Sequence, residues 1–492
     1  MRSFVGYEKG INFGGWFSQC EHTKKHYDEF IGESDFAAVS SWGIDHVRIP
    51  IDYNLIENGN GDIQESGMMY IQKCIDWCKK YRLNMILDLH KTYGFSFDEG
   101  ESESGFFESE ELQERFFRLW EEIAKRFGKY HDCVAFELLN EVTNKEYCDI
   151  WNEIADKCIF RIRTIAPETY ILIGGYDNNC IKALKDLKQP YDNKIVYNFH
   201  CYEPFIFTHQ GANWVNNMPE NFRTEYPASV QEYITKQSKM NLNVVDLISD
   251  AKVETVGEEF FESLFSEAVE IAEKRNVPLY CGEYGVINLA DQESTIEWYK
   301  AINSAFKKYK ISRAAWCYKK MDFGLIDNNI AEKIKKYFMK SNSVFFKFLT
   351  SQVLDAILVG VLVSVALSIL QVKYAVLLGF MIGLFNLIPY FGAIVAVVIA
   401  ILITVLTGGV GKALLMTVVV VILQQIDANI INPKIVGDSL EISQLLVIFA
   451  VTLGGAYFGV IGMFLAVPVA TVIKLVIEDF IEEREKSKGM IE

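Results

Sequence analysis

Roughly the first 335 residues of this chain repeat one pattern, a short apolar run followed by an amphipathic helical stretch. The runs are Gly10–Gly14, Asp45–Pro50, Asn84–His90, Val134–Leu139, Tyr170–Gly174, Ile195–Tyr202, Leu279–Glu283 and Arg313–Tyr318. Between them lie helical patterns such as Met69–Tyr81, Glu111–Phe127 and Glu146–Ile165. Short runs bounded by helices read as buried parallel strands, because crossover helices cover both faces of such a sheet. Eight of them predict an α/β fold closed into a (β/α)8 TIM barrel rather than an open doubly wound sheet. No helix opens on a Gly-rich dinucleotide fingerprint.

A barrel of this kind presents its chemistry at the C-terminal strand ends. The run Ala135–Val142 is an apolar strand tipped with Asn140-Glu141. The other ends carry Arg48, His90, His200 with Tyr202, Glu283 and Trp316. Taken singly, each has an ordinary structural role. Gathered on one face, they are hard to assign to stability alone. Glu141 and Glu283, from strands four and seven, face each other across the mouth. Two carboxylates flanking one bond is the requirement of glycoside hydrolysis. One must stay protonated to serve the leaving oxygen, and the other must be ionised. Arg48 and the Tyr202 hydroxyl suit the ionised partner. Asn140 can hydrogen-bond a sugar hydroxyl, and Trp316 offers a flat face to a pyranose. Trp16, Phe205, Phe207 and Trp214 are expected to extend that platform. Asp88 shares the inward direction of His90. It can orient the imidazole or be a buried structural carboxylate, and the second reading is preferred.

The formal net charge of -16 argues against nucleic acid as a partner. All ten cysteines lie between Cys20 and Cys317, in no metal-ligand spacing, and read as buried thiols of a reducing compartment. Neither metal nor cofactor is assigned. The first strand follows Met1-Arg2-Ser3 almost at once, with no apolar signal segment, so the catalytic part is expected in the cytoplasm.

Residues 205–265, between strands six and seven, exceed an ordinary barrel loop. They contain the helical pattern Val230–Met240 and the start of Glu258–Lys274, and read as a small helical cap over the cleft. After a closing helix, Ala331–Lys340, the polar Ser341-Asn342-Ser343 reads as a hinge within a junction over 341–352. Residues 353–478 then read as an all-α transmembrane region, and 479–492 as a charged tail. The apolar runs Val353–Leu370, Tyr374–Tyr390, Ala393–Leu406, Ala413–Leu423 and Leu445–Val476 predict four to six spans in a lipid bilayer. Gln424, Gln425, Asp427, Asn429 and Asn432 can line a path or cap a re-entrant loop, the preferred reading. Lys373, Lys412 and Lys434 are spread over successive loops and fix no orientation.

The segments GINFGGWFSQ, HVRIPIDY, MILDLH, AFELLNEV, IVYNFHCYEPFIFTHQ, LYCGEYGV and AAWCYKKMDFGL resemble family 5 of the glycoside hydrolases, most of all its endoglucanase C type. The resemblance covers nearly all of 1–340. It implies a retaining endo-β-glucanase acting on β-1,4 or mixed β-1,3-1,4 glucans. It makes Glu141 the general acid/base and Glu283 the nucleophile, with Arg48, His90, Asn140, His200, Tyr202 and Trp316 around the cleaved sugar. Lys91 departs from that pattern, in which a second histidine follows the first, and this puts substrate preference on that side of the cleft in question. The segments NLIPYFGA, NIINPKIVGDSLEIS and GGAYFGVIGMFLAVPVA resemble the C-terminal half of the autoinducer-2 exporter, or PerM-like permease, family over about 345–485. Two other readings stay open. One is a transport protein whose soluble domain only binds sugar, for which half a permease would have to form a homo-oligomer. The other is a fusion whose membrane part has no function.

Overall fold

Eight strands pair in chain order, all parallel, and the first closes against the last. They are β1 Lys9–Asn12, β2 His46–Asp52, β3 Asn84–Lys91, β4 Val134–Glu137, β5 Ile171–Gly174, β6 Ile195–His200, β7 Leu279–Glu283 and β8 Ser312–Ala315. The (β/α)8 barrel is therefore as expected. The computed structural model describes every residue except 99–100, 243–244, 246, 328–329, 389–390, 432–443 and 489–492. The chain forms two compact units, Met1–Glu332 and Lys333–Glu492.

Strand alternation decides what fills the barrel. One layer, Ile86, Ala135, Leu172, Val196, Tyr280 and Ala314, packs with Phe4 and Tyr7 as an apolar floor. Two residues further along the strands, the same inward direction carries Asp88, Glu137 and Asn198. With Arg48 from β2 they make a charged middle layer, all fully buried. A further step reaches His90 and His200. The barrel thus passes from apolar to charged to functional along its axis, and the apolar floor keeps water from the buried charges beneath the mouth.

Amphipathic helices cover the outside, among them Glu65–Tyr81, Glu110–Phe127, Cys148–Ile165, Glu258–Arg275 and Gln292–Tyr309. Ser109 and Asp291 cap two of them by accepting the N–H of Leu112 and Ser294. The stretch before β7 holds the short helix Phe205–Thr208 and the helix Val230–Met240, the latter with its expected bounds.

After the barrel a helix spans Ile330–Ile369, most of it in the second unit. Ser341–Ser343 therefore lie within a helix and do not form the expected hinge; three polar residues are no barrier to helix when none is Gly or Pro. Helices Ala375–Phe385, Phe391–Gly408 and Val410–Ile426 follow, then a π-helical turn, Asp427–Ile431, and the helical stretch Gln444–Lys488. Among the described residues three helices, Phe348–Ile369, Val410–Asn429 and Leu446–Lys474, are long and apolar enough to cross a membrane, and Ala375–Phe385 and Gly392–Gly408 are shorter apolar helices. Only 22–39% of each long helix's apolar window is buried, so most of that surface needs another apolar medium.

Gly459 leaves helical geometry at φ 62°, splitting the last stretch, and a Cβ on Gly454 would lie 2.5 Å from the Gly462 carbonyl oxygen. The chain thus doubles back in a tight hairpin that only glycine permits. Asn386 donates to Asp355 at 2.8 Å and to Asp427 at 3.3 Å, giving buried carboxylates a polar partner. The Asn429 side chain donates back to the Gln425 carbonyl. Asn432 and Lys434 lie outside the described residues, as does most of the NIINPKIVGDSLEIS segment.

Candidate active site

Arg48 is the hub of the barrel mouth and is fully buried. Its Nε and Nη2 donate to the two oxygens of Glu137 at 2.7 and 2.8 Å, a bidentate pair. Nη1 donates to Glu283 Oε1 at 2.7 Å and to Asn12 Oδ1 at 2.9 Å. Nη2 also reaches Asn140 Oδ1 at 2.9 Å and Asp88 Oδ2 at 3.0 Å. A buried guanidinium needs this many acceptors to offset its desolvation. Glu137 also accepts from Asn198 at 2.8 Å, and burial pushes its carboxyl above the ordinary range.

The two glutamates sit in unlike surroundings. Glu283 accepts from Arg48 on one oxygen and from the Tyr202 hydroxyl, at 2.9 Å, on the other. A cation and a hydroxyl donor thus fix the position of both its oxygens. Among the described residues the basic side chain within salt-bridge distance of Glu141 is His200, whose Nδ1 lies 2.7 Å from Oε1. Its Oε2 accepts from Asn178 at 3.1 Å. Burial raises the Glu141 pKa, and the Asn178 hydrogen bond opposes that rise only in part. The Glu141 backbone takes φ 44°, a left-handed turn that is strained for a side-chain-bearing residue and typical of functional sites. One oxygen of each glutamate and a ring nitrogen of His200 all lie within 4.8 Å of one another. Carboxylate oxygens this near one another can flank a single glycosidic bond.

Both histidines are held neutral. Burial lowers His200 and His90 to about 4. The Asn179 amide nitrogen, which can only donate, faces His200 Nε2 at 3.3 Å, so Nδ1 carries the proton that is donated to Glu141. His90 is arranged alike: Asn140 Nδ2 faces Nε2 at 3.5 Å, and Nδ1 donates to Asp88 at 2.5 Å. Asp88 therefore orients an imidazole while also touching Arg48, and the preferred reading of it as merely structural was too narrow. Its own carboxyl is pushed up to about 7 by burial.

The Trp316 ring lies parallel to His90 at 5.9 Å, and the Phe97 ring meets His90 edge-on at 4.8 Å. A Cβ on Gly14 would be 2.8 Å from the Trp316 ring, so glycine lets the indole lie against β1's end. Gly282 plays a like part, since a Cβ there would collide with the Asn198 amide. Tyr202 and Trp316, expected inside strands, lie just beyond β6 and β8, where the chain turns off the barrel. Trp214 is half exposed, at 50%, and its ring is 6.5 Å from Phe323, which in turn meets Tyr202 at 5.9 Å. Trp16 and Phe207 are buried core rings and offer no platform. Arg48, His90, Asn140, Glu141, His200, Tyr202, Glu283 and Trp316 are thus gathered at one mouth, and Trp214 lies outside that cluster. Glu137, Asn12, Asn178 and Phe323 were not foreseen. Glu137 was findable, four residues before Glu141 on a strand whose inward face was otherwise apolar.

Residues 7–322 match the family model for cellulase, glycosyl hydrolase family 5. The chain belongs to this family. Its family 5 domain is 47% identical over 308 residues to Cellodextrinase A of Ruminococcus flavefaciens, covering 63% of this chain and 84% of that protein. It is 39% identical over 336 residues to Endoglucanase C of Acetivibrio thermocellus, covering 66% of this chain and 95% of the relative. Among solved structures, a hyperthermophilic endo-β-1,4-glucanase in complex with substrate matches at 26% identity and TM-score 0.52, over 65% of this chain and 91% of its own. The clostridial cellulose synthase subunit Z of Clostridioides difficile matches at 25% identity and TM-score 0.54, over 67% and 99%. The domain is a glycoside hydrolase of endoglucanase type.

Behind it, residues 318–482 match the model of the AI-2E family transporter. This part is 31% identical over 171 residues to the putative transport protein YrrI of Bacillus subtilis, covering 33% of this chain. The chain spans about half, 48%, of that relative's length.

Proposed function

We propose that the barrel cleaves β-1,4 or mixed β-1,3-1,4 glucans by double displacement, with Glu283 as nucleophile and Glu141 as general acid and base. The contrast between the two carboxylates carries this reading. Arg48 and Tyr202 hold Glu283 in position to attack, while burial raises the Glu141 pKa and so favours its protonated form. In the first step Glu283 attacks the anomeric carbon as Glu141 passes its proton to the glycosidic oxygen. The glycosidic bond breaks, the aglycone leaves as an alcohol, and a glycosyl ester remains on Glu283. In the second step Glu141, now ionised, takes a proton from water, whose oxygen attacks the same carbon and releases Glu283. Configuration is retained through two inversions.

Asn140, fixed by Arg48 through its carbonyl, offers its amide to a sugar hydroxyl, and His90 and His200 border the same ring. Trp316 supplies the apolar face, and Trp214 extends it along the chain. Residues 205–265 act as a cap over the cleft. Residues 353–478 seat the protein in a lipid bilayer, with self-association through that part. Ten free cysteines support a cytoplasmic catalytic domain. The test is reducing-sugar release from barley β-glucan, lichenan, carboxymethylcellulose and mannan by the full chain in detergent. Cleavage of the glucans that is abolished in Glu283→Gln supports the proposal, and an equally active variant contradicts it.

A further inference from the structure

The two glutamates of the barrel mouth share an imidazole. His200 Nδ1 lies 2.7 Å from Glu141 Oε1 and 3.7 Å from Glu283 Oε2. Two carboxylate oxygens and one ring nitrogen, mutually within 4.8 Å, are a donor set for a metal ion. An ion of the zinc class holds such atoms at about 2.0–2.2 Å in a tetrahedron, which sets them about 3.3–3.5 Å apart. The separations of 2.7 and 3.7 Å straddle that spacing, so shifts of about half an ångström seat an ion.

Each of the three side chains is held by a neighbour. Glu283 accepts from Arg48 and Tyr202, and Glu141 Oε2 accepts from Asn178. Behind His200, Asn179 is 1% exposed and its Nδ2 faces Nε2, while its Oδ1 has no hydrogen-bond partner. A buried acceptor left open in this way is costly. Turning the amide over sets that oxygen against Nε2. The imidazole proton then sits on Nε2, donated to Asn179, and the Nδ1 lone pair faces the two glutamates. A metal-ligating histidine needs this arrangement, with its second nitrogen donating to an oxygen. The ion itself touches Nδ1 and the carboxylates, not Asn179.

The charge balance also favours a cation. Asp88, Glu137 and Glu283 all pair with Arg48, and Glu141 joins them through His200. Four carboxylates around one guanidinium leave negative charge in excess, which a divalent ion offsets. Imidazole nitrogen beside carboxylate oxygen suits zinc, copper or nickel, whereas magnesium and calcium take oxygen ligands.

We propose that Glu141, His200 and Glu283 bind a divalent cation of the zinc class, and that the bound ion closes the active site to substrate. Three protein ligands leave the fourth position to water. The ion sits between the two carboxylates, where a glycosidic bond has to enter, and occupies the nucleophile and the acid together. The imidazole stays neutral, its proton moving from Nδ1 to Nε2. The closure rests on the β-glucanase reading above, and the binding does not.

The experiment titrates Zn2+ by calorimetry into the full chain in detergent, after removal of metal with EDTA, and measures kcat and KM on an aryl β-cellobioside with and without Zn2+. The variants are the isosteric pair Glu141→Gln/Glu283→Gln, His200→Ala and Asn179→Asp, each checked for folding by a fluorescence melt. The glutamine pair and His200→Ala are expected to weaken Zn2+ binding at least about tenfold. Asn179→Asp is expected to tighten it about tenfold, because a carboxylate is the stronger acceptor for the Nε2 proton. Co2+ bound in place of Zn2+ should show visible d–d bands without a thiolate-to-metal band, which sets this site apart from the cysteines. In the parent, Zn2+ should raise KM, leave kcat unchanged, and be reversed by EDTA. Zn2+ affinity unchanged in the glutamine pair removes the site, and Zn2+ that leaves KM unchanged removes the closure, while the β-glucanase reading stands in both cases. A parent chain inert toward all β-glucans removes the closure together with that reading, and the titration then decides the site by itself.

Discussion

Arg48 donates one guanidinium hydrogen to Glu283 at 2.7 Å while its opposite edge is clasped by both oxygens of Glu137. The position of Glu283 is thereby set from below, by a carboxylate that is fully buried. Arg48 cannot follow substrate outward, because Glu137, Asp88 and Asn12 hold it in the middle layer.

Removing that clasp is the first test. Glu137→Gln keeps the shape but takes a charge from a buried pair, and breaking such pairs costs about 3–5 kcal/mol. The variant should melt at lower temperature. Its kcat should also fall, by about tenfold or more, with KM little changed, because Glu283 loses its fixed position. All eight tryptophans lie in the barrel, so a fluorescence melt of the whole chain reports on this domain. A variant as stable and active as the parent would show that the clasp is dispensable.

The alkaline limb of the pH profile should belong to Glu141. Its raised pKa keeps it protonated above the ordinary carboxylate range, and activity falls as pH climbs through that value. Asn178 donates to its ionised form and so holds the pKa down. Asn178→Ala should therefore move the alkaline limb to higher pH in kcat/KM measured on an aryl β-cellobioside. A limb that moves downward would assign it to another group.

Acid should destabilise the barrel before it protonates most carboxylates. His90 and His200 are lowered from 6.5 to about 4 by burial, so unfolding takes up protons between those values. Their contribution is complete above about pH 6.5 and is lost as pH falls toward 4. Fluorescence melts at steps of half a pH unit should show the melting temperature falling across this window. A flat profile there would mean the imidazoles are more solvated than their burial indicates.

The framework of this site was legible because strand ends of a closed barrel must converge. Asn140, Glu141, His200 and Glu283 each close an apolar run, and period-two alternation sends inward residues to one axis. The middle layer was less legible. Glu137 looks like an interruption in VAFELLNEV until Arg48 is seen beside it, and a partner 89 residues away leaves no local signal. Asp88 was underestimated for the same reason, since its dual contact with Arg48 and His90 exists only in the closed barrel. Trp16 and Phe207 were misplaced because an aromatic after a strand looks the same whether it faces a cleft or core. The polar triplet Ser341–Ser343 misled because polarity marks a hinge only when helix-breaking residues accompany it.

The apolar helices predict membrane residence. After lysis, the full chain should stay in the pellet through an alkaline carbonate wash, because three long apolar helices present most of their surface outward. Replacing Gly454 by Leu should reduce the amount of folded chain recovered in detergent, since its Cβ would meet the Gly462 backbone at 2.5 Å. A chain released into the wash would contradict the membrane reading.

The central claim is that Glu283 becomes covalently glycosylated. The direct measurement is peptide mass spectrometry after inactivation with a 2-deoxy-2-fluoro-β-cellobioside bearing a good leaving group. The account predicts one adduct, on the peptide containing Glu283 and absent in Glu283→Gln, together with a β-configured first product by NMR. An α-configured product with no adduct would contradict it.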